Sequence, residues 1–365
     1  MKVMSKIFGV TFSALCGIAI LSQPAHALTM KGNDITLRIG SGHPPFITYI
    51  KQFKAVLIPR IVERVKKETK YTIKFREHYS GTIVNVFDTL EGIQDGRLDL
   101  GGWCVCFDDD KAMAMNLPFF VPFQHPSALV QRNIGRKLLA QFPELYKDYE
   151  KRYNQKLLGF SGFNNYGLLT AFNWNKFEDL KGHKILAAGP NLPWVQGGIP
   201  VRTSIPKAAQ QLATGVGDGI ILFPDTDYKL KLHEAIGNKG VYTVTNFGAV
   251  LNINLTMNMK VRKKLPPEVV KIIDEVAIEW EEATAKAADR DHSWGLEKLK
   301  AAGIVVRNID PEAQKAWAEK LKDWPNERAK AVKAKKGVDI GPAMRAFIKM
   351  NEENGHKFPV KYVIE

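Results

Sequence analysis

Apolar positions along this chain follow two periods. Residues 35–40 (ITLRIG) and 71–78 (YTIKFREH) alternate apolar and polar side chains, the period-2 signature of strands. Between them, residues 49–69 carry Phe53, Val56, Leu57, Ile61 and Val65 at helical spacing. Pro59 falls inside that stretch and predicts a kink or interruption, because proline offers no N–H to the helix. Residues 84–95 predict a second helix with Val86, Leu90 and Ile93 inward, and residues 98–104 a strand apolar enough for a sheet interior. Strand, helix, strand, helix, strand is the order of a parallel sheet wound with helices.

The pattern then restarts. Strands are predicted at 155–161, 167–172 and 184–188, a helix at 208–214, then a tight GVGDG turn and an apolar run at 220–223. Two α/β units predict two lobes with a cleft, and open α/β sheets bind ligands beyond the carboxyl ends of their strands. Pro266-Pro267 opens the longest element, in which Val269, Ile272, Ile273, Val276 and Trp280 repeat at helical spacing. No proline follows until Pro311, Gly303 is a plausible stop, and Gly295 is the only weak interior point. Such a helix, about 50 Å long at 1.5 Å per residue, exceeds one lobe and is expected to cross both. Short amphipathic helices, such as 311–322, complete the chain to Glu365.

The first residues decide the compartment. Lys2 and Lys6 precede an apolar run at 7–21 whose interruptions include Thr11, Ser13, Cys16 and Gly17. Pro24 breaks the run and Ala25-His26-Ala27 supplies small cleavage-site residues. Residues 1–27 read as a secretory signal peptide by this pattern, and the remainder is expected outside the cytoplasm. The competing assignment is a membrane anchor, but a span needs about 20 apolar residues.

Composition adds less. The formal charge is +14, yet lysines alternate with acids along helical stretches, and only 328–336 (RAKAVKAKK) is dense. No basic helix with interleaved aromatics appears, so nucleic acid is not an expected partner. Cys104 and Cys106 are expected as two small buried strand residues, because a bridge between strand neighbours strains the disulfide; a bond remains the alternative. Asp108-Asp109-Asp110 is expected as a solvated turn or helix start, with cation attraction as the alternative. No metal-ligand spacing and no cofactor motif is present. Enzyme signatures are missing as well: there is no Gly-x-Ser-x-Gly elbow, no His-Glu-x-x-His and no glycine-rich phosphate loop. Spatially paired acids of a secreted hydrolase would escape such a search.

Several fragments together resemble one family. LRIGSGHPP at 37–45, TLEGIQDGRLDL at 89–100, LPFF at 117–120, EDLKGHKI at 178–185, GVGDG at 215–219 and LPPEVV at 265–270 are similar, in order and spacing, to the solute receptors of tripartite ATP-independent periplasmic (TRAP) transporters, the dicarboxylate-receptor type. The resemblance implies a two-lobed periplasmic solute-binding α/β fold with a long helix spanning both lobes. It implies a binding protein, not an enzyme, that captures a small organic solute and delivers it to membrane permease subunits. A sensor presenting its ligand to a membrane signalling partner is the alternative. Lobe I is expected at 28–155, with 248–285 returning to it, and lobe II at 156–247, with 286–365 packing across both.

Departures from the family pattern shape the expected pocket. The family's carboxylate-gripping arginine falls at Leu186, within Lys184-Ile185-Leu186-Ala187. Its polar Gln-Glu-Asn-Pro becomes Ile220-Ile221-Leu222-Phe223, and a frequent polar position becomes Tyr166. The expected ligand-binding residues are therefore Trp103, Phe107, Tyr166, Leu186, Leu222 and Phe223, with Ile205 beside them, and the polar His43, Asn85, Asn165 and Asp225. Arg202 is the first candidate to replace the missing arginine, and Trp194 an aromatic of the lobe surface or cleft. A site without its clamp and with apolar walls suits a solute with more apolar surface.

Overall fold

The computed structural model describes residues 28–237 and 239–365; the expected signal peptide at 1–27 lies outside them. Two six-stranded sheets organise the chain. The first holds β1 (Thr29–Lys31), β2 (Asp34–Gly40), β3 (Thr72–His78), β4 (Leu100–Cys104), β5 (Gln155–Asn165) and β11 (Ala249–Asn258). The second holds β6 (Gly167–Thr170), β7 (Lys184–Ala187), β8 (Ile199–Arg202), β9 (Gly219–Leu222), β10 (Val241–Val244) and β12 (Val305–Asn308).

The strand–helix alternation predicted parallel sheets, and neither sheet is purely parallel. β2 runs parallel to β3 and β4, but β11 pairs antiparallel with both β4 and β5. In the second sheet β6 lies antiparallel to β9 and β10, while β7 is parallel to β8 and β9. Apart from β1, which lies antiparallel to β2 at the sheet edge, every antiparallel pair includes a strand next to a crossing between sheets. β5 leads directly into β6, and β10 into β11, so each crossing needs no returning helix. Pairing also carries the first sheet past the expected boundary at 155/156: β5 belongs with β11 through Asn165, and β12 joins the second sheet from far along the chain.

Local chemistry explains several element ends. Residues 49–69 form a helix Thr48–Gln52, a π-helical turn Phe53–Leu57 and a helix Ile58–Glu68, so the interruption demanded by Pro59 is absorbed one turn earlier. The helix expected from 84 begins only at Thr89. Before it, Asp88 Oδ1 accepts from Asn85 N–H at 2.5 Å and Asn85 Oδ1 from Phe87 N–H at 2.8 Å, which spends backbone donors in a turn.

The long helix runs unbroken from Pro267 to Ala301. Along it, Val269, Ile272, Ile273, Val276 and Trp280 are buried, and Trp280 Nε1 donates to Tyr49 O at 3.1 Å. The helix packs on β5 and helix Thr48–Gln52 of the first unit, then on helix Pro224–Lys229 and β12 of the second. Gly295 is where that second contact is made: a Cβ there would lie 2.3 Å from Asp225 N. The interior glycine is thus the place where another helix end rests on the backbone. Among the described residues no helix is long and apolar enough to cross a membrane, and no three His, Cys, Asp or Glu side chains are grouped to hold a metal ion.

Candidate functional site

Strand ends of both sheets converge between the lobes. At the end of β2, Ser41 Oγ and Tyr49 Oη lie 2.6 Å apart, and Tyr49 Oη is 2.9 Å from His43 Nδ1. His43 is 2 % exposed, its Nε2 has no hydrogen-bond partner in the protein, and burial lowers its pKa to about 4. The imidazole is therefore neutral near pH 7 and offers one uncommitted nitrogen. Phe107, half-buried, stands 5.8 Å from the imidazole and 5.0 Å from Phe87.

From this point a run of rings crosses to the second lobe. Tyr49 meets Phe163 edge-on at 6.3 Å, and Phe163 stacks on Phe223 at 4.3 Å. Phe223 meets Tyr166 at 5.2 Å, and Tyr166 meets Trp194 at 5.6 Å. Trp194 Nε1 donates to Phe119 O of the first lobe at 3.0 Å. Tyr166 accepts from Asn252 at 3.4 Å, and burial raises its pKa. Edge-to-face and offset contacts of this kind stabilise beyond their buried area.

The structure brings His43, Phe107, Tyr166 and Phe223 of the expected residues to this seam. Others lie elsewhere. Trp103 is on the opposite side of β4 from the Gly102 face, which Tyr49 and Phe53 cover; its Nε1 donates to Thr256 at 3.0 Å inside the first lobe. Leu186 is fully buried against Gly217, where a Cβ would come within 2.5 Å of its Cγ, so it packs within the second lobe. Leu222 is buried on β9 opposite Gly167. Exposed Asn85 shapes the turn before Thr89, and Arg202 is exposed at the end of β8.

Asn165 and Asp225 join the lobes. Asn165 donates to Asn246 at 2.8 Å and accepts from Gly248 N–H at 3.0 Å, tying the two crossing segments together. Asp225 accepts from Asn164 at 2.7 Å and from Lys229 at 2.6 Å. Lys229 also reaches Asp291 on the long helix at 3.2 Å, and Asp291 accepts from Thr48 of the first lobe at 2.6 Å. Burial raises the Asp225 pKa against the opposing pull of Lys229.

Tyr49, Phe163, Asn164 and Lys229 were missed from sequence. Phe163 carried a signal, since it lies two residues from the expected Asn165 on one strand. The cysteines also depart from expectation. Cys104 and Cys106 form a disulfide with Cα atoms 5.1 Å apart. The strand ends at Cys104 and a 3-10 turn follows at Val105–Phe107, so the two are not strand neighbours and reach ordinary disulfide separation. Of the acidic run, only Asp110 is a solvated residue, paired with Lys336 at 3.2 Å; Asp108 is buried and bonds Lys111 at 2.8 Å. A groove of about 720 Å³ in the second lobe, walled by Trp174, Phe177, Arg307 and Asp310, includes none of the expected residues.

Two α/β lobes, joined by crossing strands and one shared helix and meeting over a buried seam of strand ends, define a two-lobed solute-binding receptor. The chain belongs to family 7 of the bacterial extracellular solute-binding proteins, DctP, whose profile matches residues 52–330. Solved structures share the fold. A TRAP periplasmic solute-binding protein from Bordetella bronchiseptica, with (R)- and (S)-mandelate bound, is 18% identical over 87% of this chain and 99% of its own, with a TM-score of 0.73. One from Desulfovibrio salexigens, an open complex, is 19% identical over 87% and 96%, at 0.72. A Bordetella pertussis extracytoplasmic receptor binding pyroglutamic acid is 17% identical over 87% and 99%, at 0.71. Among curated proteins no match was found.

Proposed function

We propose that this chain is the periplasmic solute receptor of a TRAP-type transporter. It captures a small organic acid with substantial apolar surface between its lobes and delivers it to membrane permease subunits. The observation that carries the solute class is the buried His43 nitrogen without a protein partner, set beside Phe107 and joined by rings to Phe223 and Tyr166. A neutral imidazole offers a hydrogen bond rather than a charge, and the rings offer apolar contact. With Leu186 packed in the second lobe, no arginine at that position forms a bidentate fork, so a dianionic solute loses the partner it most needs. The mandelate and pyroglutamate bound by fold neighbours are of the matching class.

Thermal-shift screening of the mature protein with mandelate, pyroglutamate, glucuronate and succinate tests this reading. A solute at a hundredfold excess over its Kd adds about 2.7 kcal/mol of stability, a shift of several degrees. The expected ranking places aromatic or cyclic monocarboxylates above succinate, with His43→Ala weakening the best of them. Succinate binding as the tightest of the four, or no shift with any organic acid together with no compaction in small-angle scattering, overturns it.

A further inference from the structure

Four polar side chains outside the aromatic seam share one small cavity. It measures about 100 Å³ and lies where both lobes meet the helix Trp324–Lys336. Asp109 and Asn116 wall it from the first lobe, Gly189 from the second, and Trp324 and Arg328 from the helix. A Cβ on Gly189 would sit 2.2 Å from Cys106 O and 3.3 Å from Asp109 Oδ1, so the cavity borders a direct lobe-to-lobe contact.

Each of the four presents a buried atom with no hydrogen-bond partner in the protein: Asp109 Oδ1, Asn116 Oδ1, Trp324 Nε1 and Arg328 Nε. Asn116 is 1 % exposed, and its amide nitrogen already donates to Val105 O at 3.1 Å and Ala112 O at 3.2 Å, which leaves its oxygen as the open acceptor. The Arg328 guanidinium is held over the rings of Phe120, at 4.7 Å, and Trp324, at 5.2 Å. Unpaired buried polar groups are costly, and four around one cavity mark a place built to meet a polar molecule.

The open atoms divide by role. Two acceptors, one a carboxylate oxygen, come from the first lobe. Two donors, one on a guanidinium, come from the helix. A molecule with a carboxylate and an ammonium on neighbouring atoms satisfies both halves. A plain carboxylate leaves Asp109 facing negative charge, and a plain amine leaves Arg328 facing positive charge. One water needs about 10–15 Å³ of such space, so the cavity admits a molecule of a few heavy atoms. We propose that it is a binding site for a small zwitterion of the amino-acid class, with the carboxylate on Trp324 and Arg328 and the ammonium on Asp109 and Asn116.

Burial raises the Asp109 pKa to about 6, opposed by Arg202 and Arg328, so its carboxyl is mainly ionised near pH 7. The site shares no residue with the His43 seam, and its test is separate from that of the organic-acid reading.

Calorimetry on the mature chain decides it, with glycine and alanine as probes against acetate and methylamine. Saturable binding of glycine or alanine, at least about tenfold tighter than either single-charge analogue, is expected. Arg328→Gln and Asp109→Asn should each weaken it by about tenfold or more, while the thermal shift given by the best organic acid is unchanged. Silence with both amino acids at millimolar concentration, acetate binding as well as glycine, or unchanged glycine affinity in the two folded variants overturns the proposal. The analogue series on the unmodified protein decides alone if the variants do not fold.

Discussion

Where Tyr49, Phe163, Phe223 and Tyr166 come together, the lobes touch through rings; where Asn164, Asp225, Lys229 and Asp291 come together, they touch through hydrogen bonds and charges. Burial of apolar ring surface is non-directional and by itself fixes no single arrangement of the rings. Ion pairs with buried partners are directional, and fix one arrangement of helix Pro224–Lys229, the long helix and helix Thr48–Gln52.

The comparison is broken most strongly on the ring side. Phe223→Ala removes a fully buried ring stacked on Phe163, and should cost about 3–5 kcal/mol of stability in urea unfolding. A loss below about 1 kcal/mol would show that the rings do not hold the lobes together.

Acid should separate the two sides by sign. His43 takes up a proton near pH 6.5 when unfolded and only near 4 when folded, so between these values the unfolded state binds more protons and stability falls as pH falls. The full loss, reached below about pH 4, is about 3 kcal/mol. Asp225 and Asp227 run the other way: burial raises their folded pKa values, so the folded state binds protons first and acid favours it. Urea melts between pH 4 and 7 should show His43→Asn with a smaller acid loss than the unmodified chain. Parallel profiles for the two proteins would remove His43 from the account.

On the charged side, Gly295→Ala places a Cβ against the Asp225 backbone and should cost about 1–3 kcal/mol, with a thermal midpoint lowered accordingly. An unchanged midpoint would mean that helix Pro224–Lys229 is free to move off the long helix. The smallest effect is expected at exposed Asn85. Asn85→Ala should change stability by about 0.5 kcal/mol or less and leave organic-acid affinity within about twofold, measured by calorimetry. A large loss of affinity would return Asn85 to the solute site.

Much of the secondary structure was legible because periodicity is local. Alternation marks β2 and β3, and two prolines followed by helical spacing mark the 35-residue helix. The resemblance of short ordered fragments carried the family and the two lobes. Local pattern gave no pairing partners: nothing in 155–165 says that this strand lies beside β11 rather than β6. The pocket residues were read by register against family motifs, and register places a backbone position without saying which side of the sheet its side chain occupies. Trp103 and Leu186 stand at the expected positions, yet point into the lobes that carry them.

What the sequence by itself determined is a part of the set of elements and the family, since each is written in residues near one another in the chain. What only the tertiary structure decided is which side chains meet across the lobes. Phe163 with Phe223, Asn164 with Asp225, and Trp194 with Phe119 are pairs from distant segments. Their meeting depends on strand order and on the path of one long helix, set by how the whole chain buries its apolar surface and pairs its backbone, and no window of neighbouring residues carries that information.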